Sequence, residues 1–113
     1  MNYSVGQVGY FQLSNLVRNK VPFTLLVLNF EPNFETAPVD LRPLMAKAVK
    51  ANANEILETV TSLGLKFEHP LVVLCEQGSE SLLVSQMLEK KGFLNIYHVK
   101  GGWQNILAEA GVG

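Results

Sequence analysis

A single cysteine, two histidines and the absence of any basic run set the first limits on this 113-residue chain. One cysteine permits no internal disulfide and no multi-thiolate zinc centre, so Cys75 is structural, reactive or incidental. His69 and His98 lie far apart with no carboxylate at ligand spacing, and no metal site is expected. His69 precedes Pro70 in a turn, His98 is expected to point from a strand, and both read as structural histidines. Nine Lys and Arg against ten Asp and Glu leave a net charge of -1, so no nucleic-acid partner is expected. The longest apolar runs, FTLLVL and LVVLC, fall well short of the roughly 20 residues that cross a bilayer. The N-terminus MNYSVGQVGYF lacks a charged stretch followed by an apolar one. No membrane partner and a cytoplasmic location are the corresponding expectations.

What is present points to a folded core. Apolar residues make up 48% of the chain and charged ones 17%, which suits a globular protein rather than a disordered tail. The length fits one domain spanning residues 1–113.

Along the chain, VGYF (8–11) has the composition of a short strand, and Ser14 is a candidate N-cap for a brief helix ending before Pro22. FTLLVLNF (23–30) is a nearly continuous apolar run, the signature of a strand buried on both faces. The segment 31–43 carries three prolines and no period, so it reads as a loop, with Pro43 suited to a first helical turn. From Leu44 to Leu63 the apolar spacing is helical, with Gly64 as a stop. Asn52 and Glu55 match a capping-box spacing, so a break near ANAN divides that stretch in a second reading. HPLVVLC (69–75) repeats the buried-strand pattern, residues 81–92 the helical one, LNIYHV (94–99) a third strand, and residues 103–110 a last short helix. Strands alternating with helices imply an α/β fold, a small parallel sheet with helices on both faces.

Cys75 then stands at the carboxyl end of a strand, where open parallel sheets bind ligands. The following turn, Glu76, Gln77, Gly78, Ser79, Glu80 and Ser81, has a central glycine and leads into a helix. Such a turn allows several backbone N–H groups to point inward at the thiol, and a nest of that kind, with the helix dipole, would favour thiolate over thiol. A bland reading stands beside this one, because free cysteine is among the most buried residue types. On spacing alone the two readings weigh equally.

The segment PLVVLCEQGSESLLVSQMLEKKGFLNIYHVKGGW resembles the C-terminal half of a rhodanese-like domain. Cys75, Gly78, Ser81, Leu88, Gly92, Phe93, Asn95, Gly101, Gly102 and Trp103 stand where that pattern places its cysteine, loop glycine, helix and closing glycine pair. LLVLNFEPNFE is similar, in a worn form, to the strand that family members end in Asp-x-Arg. The family's His-Ile-Pro-Gly-Ala stretch has no counterpart in TAPVDLRPL, which leaves the register between 36 and 44 open.

The resemblance implies a rhodanese-like three-layer sandwich in which Cys75 is the nucleophile. It would take a sulfane sulfur from a donor, hold it as a persulfide and pass it to a thiophilic acceptor. Residues 76–81 would bind the sulfur, and no cofactor is implied. Against the family pattern, Glu76 and Glu80 replace loop arginines, Glu31 replaces the strand-end arginine, and Asn29 replaces its aspartate partner. Unit charges ~6 Å apart at an effective dielectric near 20 interact by roughly 3 kcal/mol, less where solvent screens them. An acidic rim of this kind disfavours thiosulfate, so a different donor is expected.

The alternative is an inactive rhodanese-like binding or regulatory module whose acidic rim takes a basic segment. A related cysteine-phosphatase reading fails because Ser81 stands where a phosphate-clamping arginine is needed. Trp103 and Phe93 are expected to pack in the core. The physiological donor and acceptor and the oligomeric state are not encoded in any motif.

Overall fold

The structure is a computed structural model and describes residues 5–111. Its order is β1 (Gly6–Val8), α1 (Tyr10–Arg18), β2 (Thr24–Leu28), two 3-10 turns (Phe34–Thr36 and Val39–Leu41), α2 (Arg42–Lys47) and β3 (Val49–Ala51). A third 3-10 turn (Ala53–Glu55), α3 (Ile56–Ser62), β4 (Leu71–Leu74), α4 (Ser79–Lys90), β5 (Ile96–Val99) and α5 (Gly102–Glu109) complete it. The strands form one sheet in the order β1-β5-β4-β2-β3, with every neighbouring pair parallel. Parallel neighbours cannot be joined by hairpins, so each connection carries a helix across a face of the sheet. The α/β architecture expected from the alternation of elements is the one formed.

Strand alternation divides the interior into two layers. On one face Val8, Leu25, Val27, Val72, Leu74 and Val99 pack with Leu13 of α1 and with Trp103 and Ile106 of α5. On the other, Leu26, Leu28, Leu71, Val73, Cys75 and Ile96 meet Ile56 and Val60 of α3, Val84 and Leu88 of α4, and Phe93. The central strands β2 and β4 are covered on both sides, which is why their sequences are continuous apolar runs rather than alternating ones. Trp103 and Phe93 are both core residues, and Phe93 makes an edge-to-face contact with Phe67 at 5.0 Å.

Several elements differ from the reading of the sequence. The first strand is Gly6–Val8 rather than 8–11, because Gly9 ends it and Tyr10 opens α1, where the Gln12 side chain accepts the Gly9 N–H at 2.9 Å. Ser14 is therefore mid-helix and buried; its hydroxyl donates to Asp40 and does not cap α1. The stretch 44–63 does break near ANAN, but the break holds a strand, β3, that adds to the edge of β2. Three residues on a half-exposed edge carry too short a pattern to separate from the flanking helices. Asn52 and Glu55 make no capping box: Asn52 Nδ2 donates to Glu55 Oε1, and the Asn52 side chain caps no backbone N–H. α4 begins at Ser79, two residues before the expected start, which brings its N-terminus up against Cys75.

Other boundaries follow the expected chemistry. Pro43 sits in the first turn of α2, where its missing N–H costs no helical bond. Gly64 adopts φ +68 just beyond α3 and donates its N–H to Thr61 O at 3.0 Å, closing that helix as a left-handed stop.

Candidate active site

Cys75 is the first residue after β4, in the middle of the sheet and at the carboxyl ends of the strands. Its sulfur accepts two backbone hydrogen bonds, from Gly78 N–H at 3.0 Å and Ser81 N–H at 3.3 Å. The turn closes on itself because Gly78 adopts φ +100, and the Ser81 hydroxyl donates to Gly78 O at 3.1 Å. Gly78 is the N-cap of α4, so the positive end of a 12-residue helix faces the sulfur. Both N–H groups and the dipole suit a negatively charged sulfur.

A second helix holds the back of the turn. Trp103 N–H donates to Cys75 O at 2.9 Å and Gln104 N–H to Glu76 O at 3.3 Å, both from the first turn of α5. The two loop carbonyls are thereby turned toward α5, leaving the loop amides free to face the sulfur. This contact requires glycine. A Cβ on Gly102 would fall 2.5 Å from Glu76 O, and one on Gly78 would fall 2.9 Å from Gly101 N. The glycine pair at the start of α5 was the available sequence signal for so close an approach, and the hydrogen bonds it permits were not legible in the residues.

The remaining candidate residues are placed as follows. Glu76, Gln77, Ser79 and Glu80 are exposed, Gly78 is half-buried, and Ser81 is buried. Glu80 lies in the first turn of α4, and its Oε2 accepts Asn29 Nδ2 at 2.7 Å. Asn29, at φ +59 just after β2, also accepts the Ala53 N–H on its Oδ1 at 3.2 Å. It ties the end of β2 to α4 and to the turn before α3. Glu31 is ion-paired with Lys50 on the edge strand β3. Two of the three acids expected at the rim thus have a local partner.

Cys75 is 1% exposed. A wide trough of about 1040 Å³ opens beside β2, β3 and α3, lined by Asn29, Glu31, Lys50, Glu55 and Glu58 among others. Asn29 is where this trough meets the Glu80 side of the cysteine turn. Among the described residues, no group of three or more His, Cys, Asp or Glu is arranged to hold a metal ion. No helix among them is long and apolar enough to cross a membrane.

Elsewhere, His69 shares a 2.9 Å hydrogen bond with the Thr24 hydroxyl, as suits a structural histidine. His98 is on β5 and buried, and burial lowers its pKa from the ordinary imidazole value. The Tyr10 phenol donates to both Asp40 oxygens at 3.0 Å, and that carboxylate raises the phenol's pKa.

Comparison with known proteins gives a consistent result. A family model described as Rhodanese-like domain matches residues 33–109. No curated protein matches the chain. Among solved structures, a rhodanese-related protein from Thermoplasma volcanium is 25% identical, with 95% of this chain and 93% of that one covered and a TM-score of 0.62. The rhodanese-like domain of an Anabaena protein is 16% identical over 91% of this chain and 74% of that one, with a TM-score of 0.70. The polysulfide-sulfur transferase homodimer of Wolinella succinogenes is 20% identical over 96% and 76%, with a TM-score of 0.63.

Proposed function

The chain belongs to the rhodanese-like domain family, and from that premise we propose that it is a sulfurtransferase carrying sulfane sulfur as a persulfide on Cys75. In the first step the Cys75 thiolate attacks the outer sulfur of a donor. The donor's sulfur bond breaks, its electron pair leaves with the remainder, and Cys75 becomes a persulfide. In the second step a thiophilic acceptor attacks the terminal sulfur and the Cys75 thiolate leaves. The observation that carries this reading is the pair of N–H donors from Gly78 and Ser81 on Cys75 Sγ. Groups that hold a thiolate also hold a persulfide anion, so both resting states of the cycle are served by one cradle.

The donor we propose is neutral or protein-bound. No arginine stands at the loop positions that read Glu76 and Glu80, and a thiosulfate dianion would approach past both carboxylates. Glu76 weighs more than Glu80, whose carboxylate is engaged by Asn29, and Glu31 is matched by Lys50. The test is to incubate the protein with thiosulfate, polysulfide and a persulfidated thiol and weigh it intact. Addition of one sulfur at Cys75 by a donor other than thiosulfate is expected, and no addition from any donor rules the proposal out.

One observation favours a second reading, a binding or regulatory module without sulfur transfer: Cys75 is only 1% exposed. Under that reading the acidic rim takes a basic protein segment and Cys75 is inert. A Cys75→Ser protein that folds and retains its cellular role would establish it, whereas loss of the role with an intact fold would exclude it.

A further inference from the structure

The interior behind Cys75 contains three buried side-chain atoms without a hydrogen-bond partner: Ser85 Oγ, His98 Nδ1 and His98 Nε2. Ser85 is 0% exposed and His98 is 4% exposed. Native interiors seldom leave such atoms unpaired, and each exception calls for a reason. Both residues belong to the layer between α4 and the sheet. α4 buries Ser81, Val84, Ser85 and Leu88 against the sheet. β5 turns Ile96 into the layer beneath α4, and strand alternation sends His98 to the same side.

The register relates both residues to the sulfur. His98 is paired with Val73, so Cys75, two residues farther along the same face of β4, is its diagonal neighbour. Strand spacing and rise put the two Cα atoms on the order of 8 Å apart. On α4, Ser85 lies one turn from Ser81, whose N–H donates to Cys75 Sγ. The elements around the ring bring no charge to it: β4 contributes Leu71–Leu74, β1 contributes the paired Gln7, and the inward side of α4 is uncharged. Burial is the one cause acting on the ring's proton affinity. Among the buried residues described, Cys75 is the one titratable side chain besides His98.

We propose that His98, with Ser85, matches charge behind the cysteine cradle: the ring takes up a proton, and donates it to the Ser85 hydroxyl, when the Cys75 sulfur is negative. The balance is simple, since the S–H bond of Cys75 breaks, a ring N–H bond forms, and no electrons are transferred. His98 acts through the sulfur and is a positioning residue. This deepens the reading of Cys75 as an anionic carrier and rests on it. A unit charge about 8 Å away at an effective dielectric near 20 changes proton affinity on the order of tenfold.

The test follows the His98 ring by NMR across pH in Cys75→Asp and Cys75→Asn proteins, which place a charged or a neutral group in the cradle. His98 is expected to hold its proton about tenfold more tightly in the Asp protein. Adding Ser85→Ala is expected to shrink that difference. Equal midpoints in the two proteins overturn the proposal, and an unchanged gap after Ser85→Ala removes Ser85 from it. If Cys75→Asp does not fold, wild-type protein carboxymethylated or carbamidomethylated at Cys75 supplies the same charge contrast and is read the same way. Neither pair involves sulfur transfer, so a coupled His98 in a protein that no donor can persulfidate would refute the enzyme reading alone.

Discussion

Gly102 offers a direct measure of how much the second helix contributes to the cysteine turn, because Gly64 provides a matched control. The two residues have nearly the same backbone, φ +69 and φ +68, so alanine carries the same left-handed penalty at each, about 1–2 kcal/mol. Their surroundings differ completely. A Cβ at Gly64 meets nothing within 4 Å, whereas one at Gly102 would lie 2.5 Å from Glu76 O and 2.6 Å from Cys75 O. Both oxygens are backbone atoms, so the turn itself must move. Movement weakens the hydrogen bonds from Trp103 N–H and Gln104 N–H, each worth about 1 kcal/mol, and repacking adds about 1–3 kcal/mol.

Gly102→Ala is therefore expected to cost about 2–5 kcal/mol more than Gly64→Ala, a large share of the ~5–15 kcal/mol that holds a domain folded. Urea denaturation of the two variants beside wild type measures the difference. Iodoacetamide supplies a local readout, since a displaced turn exposes the sulfur: alkylation of Cys75 accelerates in Gly102→Ala and is unchanged in Gly64→Ala. Equal stability losses in the two variants would refute the argument that close approach, rather than backbone conformation, selects glycine at position 102.

Three further expectations follow from the same contacts. Replacing Glu76 and Glu80 together by Arg reverses two charges at the turn and should raise thiosulfate turnover about tenfold or more; Glu76→Arg alone should supply the larger part, and unchanged turnover in both proteins would show that the carboxylates do not act on the donor. Because burial lowers the pKa of His98 while the Cys75 sulfur is uncharged, in carbamidomethylated protein the unfolded chain binds a proton that the folded chain resists, so stability is full above the ordinary imidazole value near 6.5 and declines as pH falls below it. Denaturation at pH 7.5 and pH 5 should accordingly show a smaller acid loss in carbamidomethylated His98→Gln than in wild type modified in the same way, and identical losses would contradict the assignment. Asp40→Ala removes the acceptor of both Ser14 and Tyr10, which ties α1 to the turn Val39–Leu41, and should cost about 1–3 kcal/mol in a thermal or urea melt while leaving Cys75 alkylation unchanged.

Some of this protein was legible in its residues because local physics decides it. β2 and β4 are apolar on both faces because they are buried on both faces, which is what runs such as TLLVL and LVVL, bounded by turn residues, announce. Gly64 at the end of α3 and Pro43 at the start of α2 reflect backbone limits that hold in any fold. β3 was not legible, since three half-exposed residues become a strand only when β2 offers an edge to pair with. Ser14 looked like a cap because hydroxyls favour helix starts, yet Asp40, distant in sequence, took its hydrogen bond.

The site divides along the same line. By itself the sequence determined that one cysteine sits at a strand end before a glycine-bearing turn and a helix, and that two acids, Glu76 and Glu80, stand in that turn. Tertiary structure alone decided which amides reach the sulfur, that α5 draws away the carbonyls of Cys75 and Glu76, and that Glu80 and Glu31 are engaged by Asn29 and Lys50. The reason is range: a turn's conformational preference acts over a few residues, whereas the contacts that aim its N–H groups and set its charge join elements brought together only by the parallel sheet.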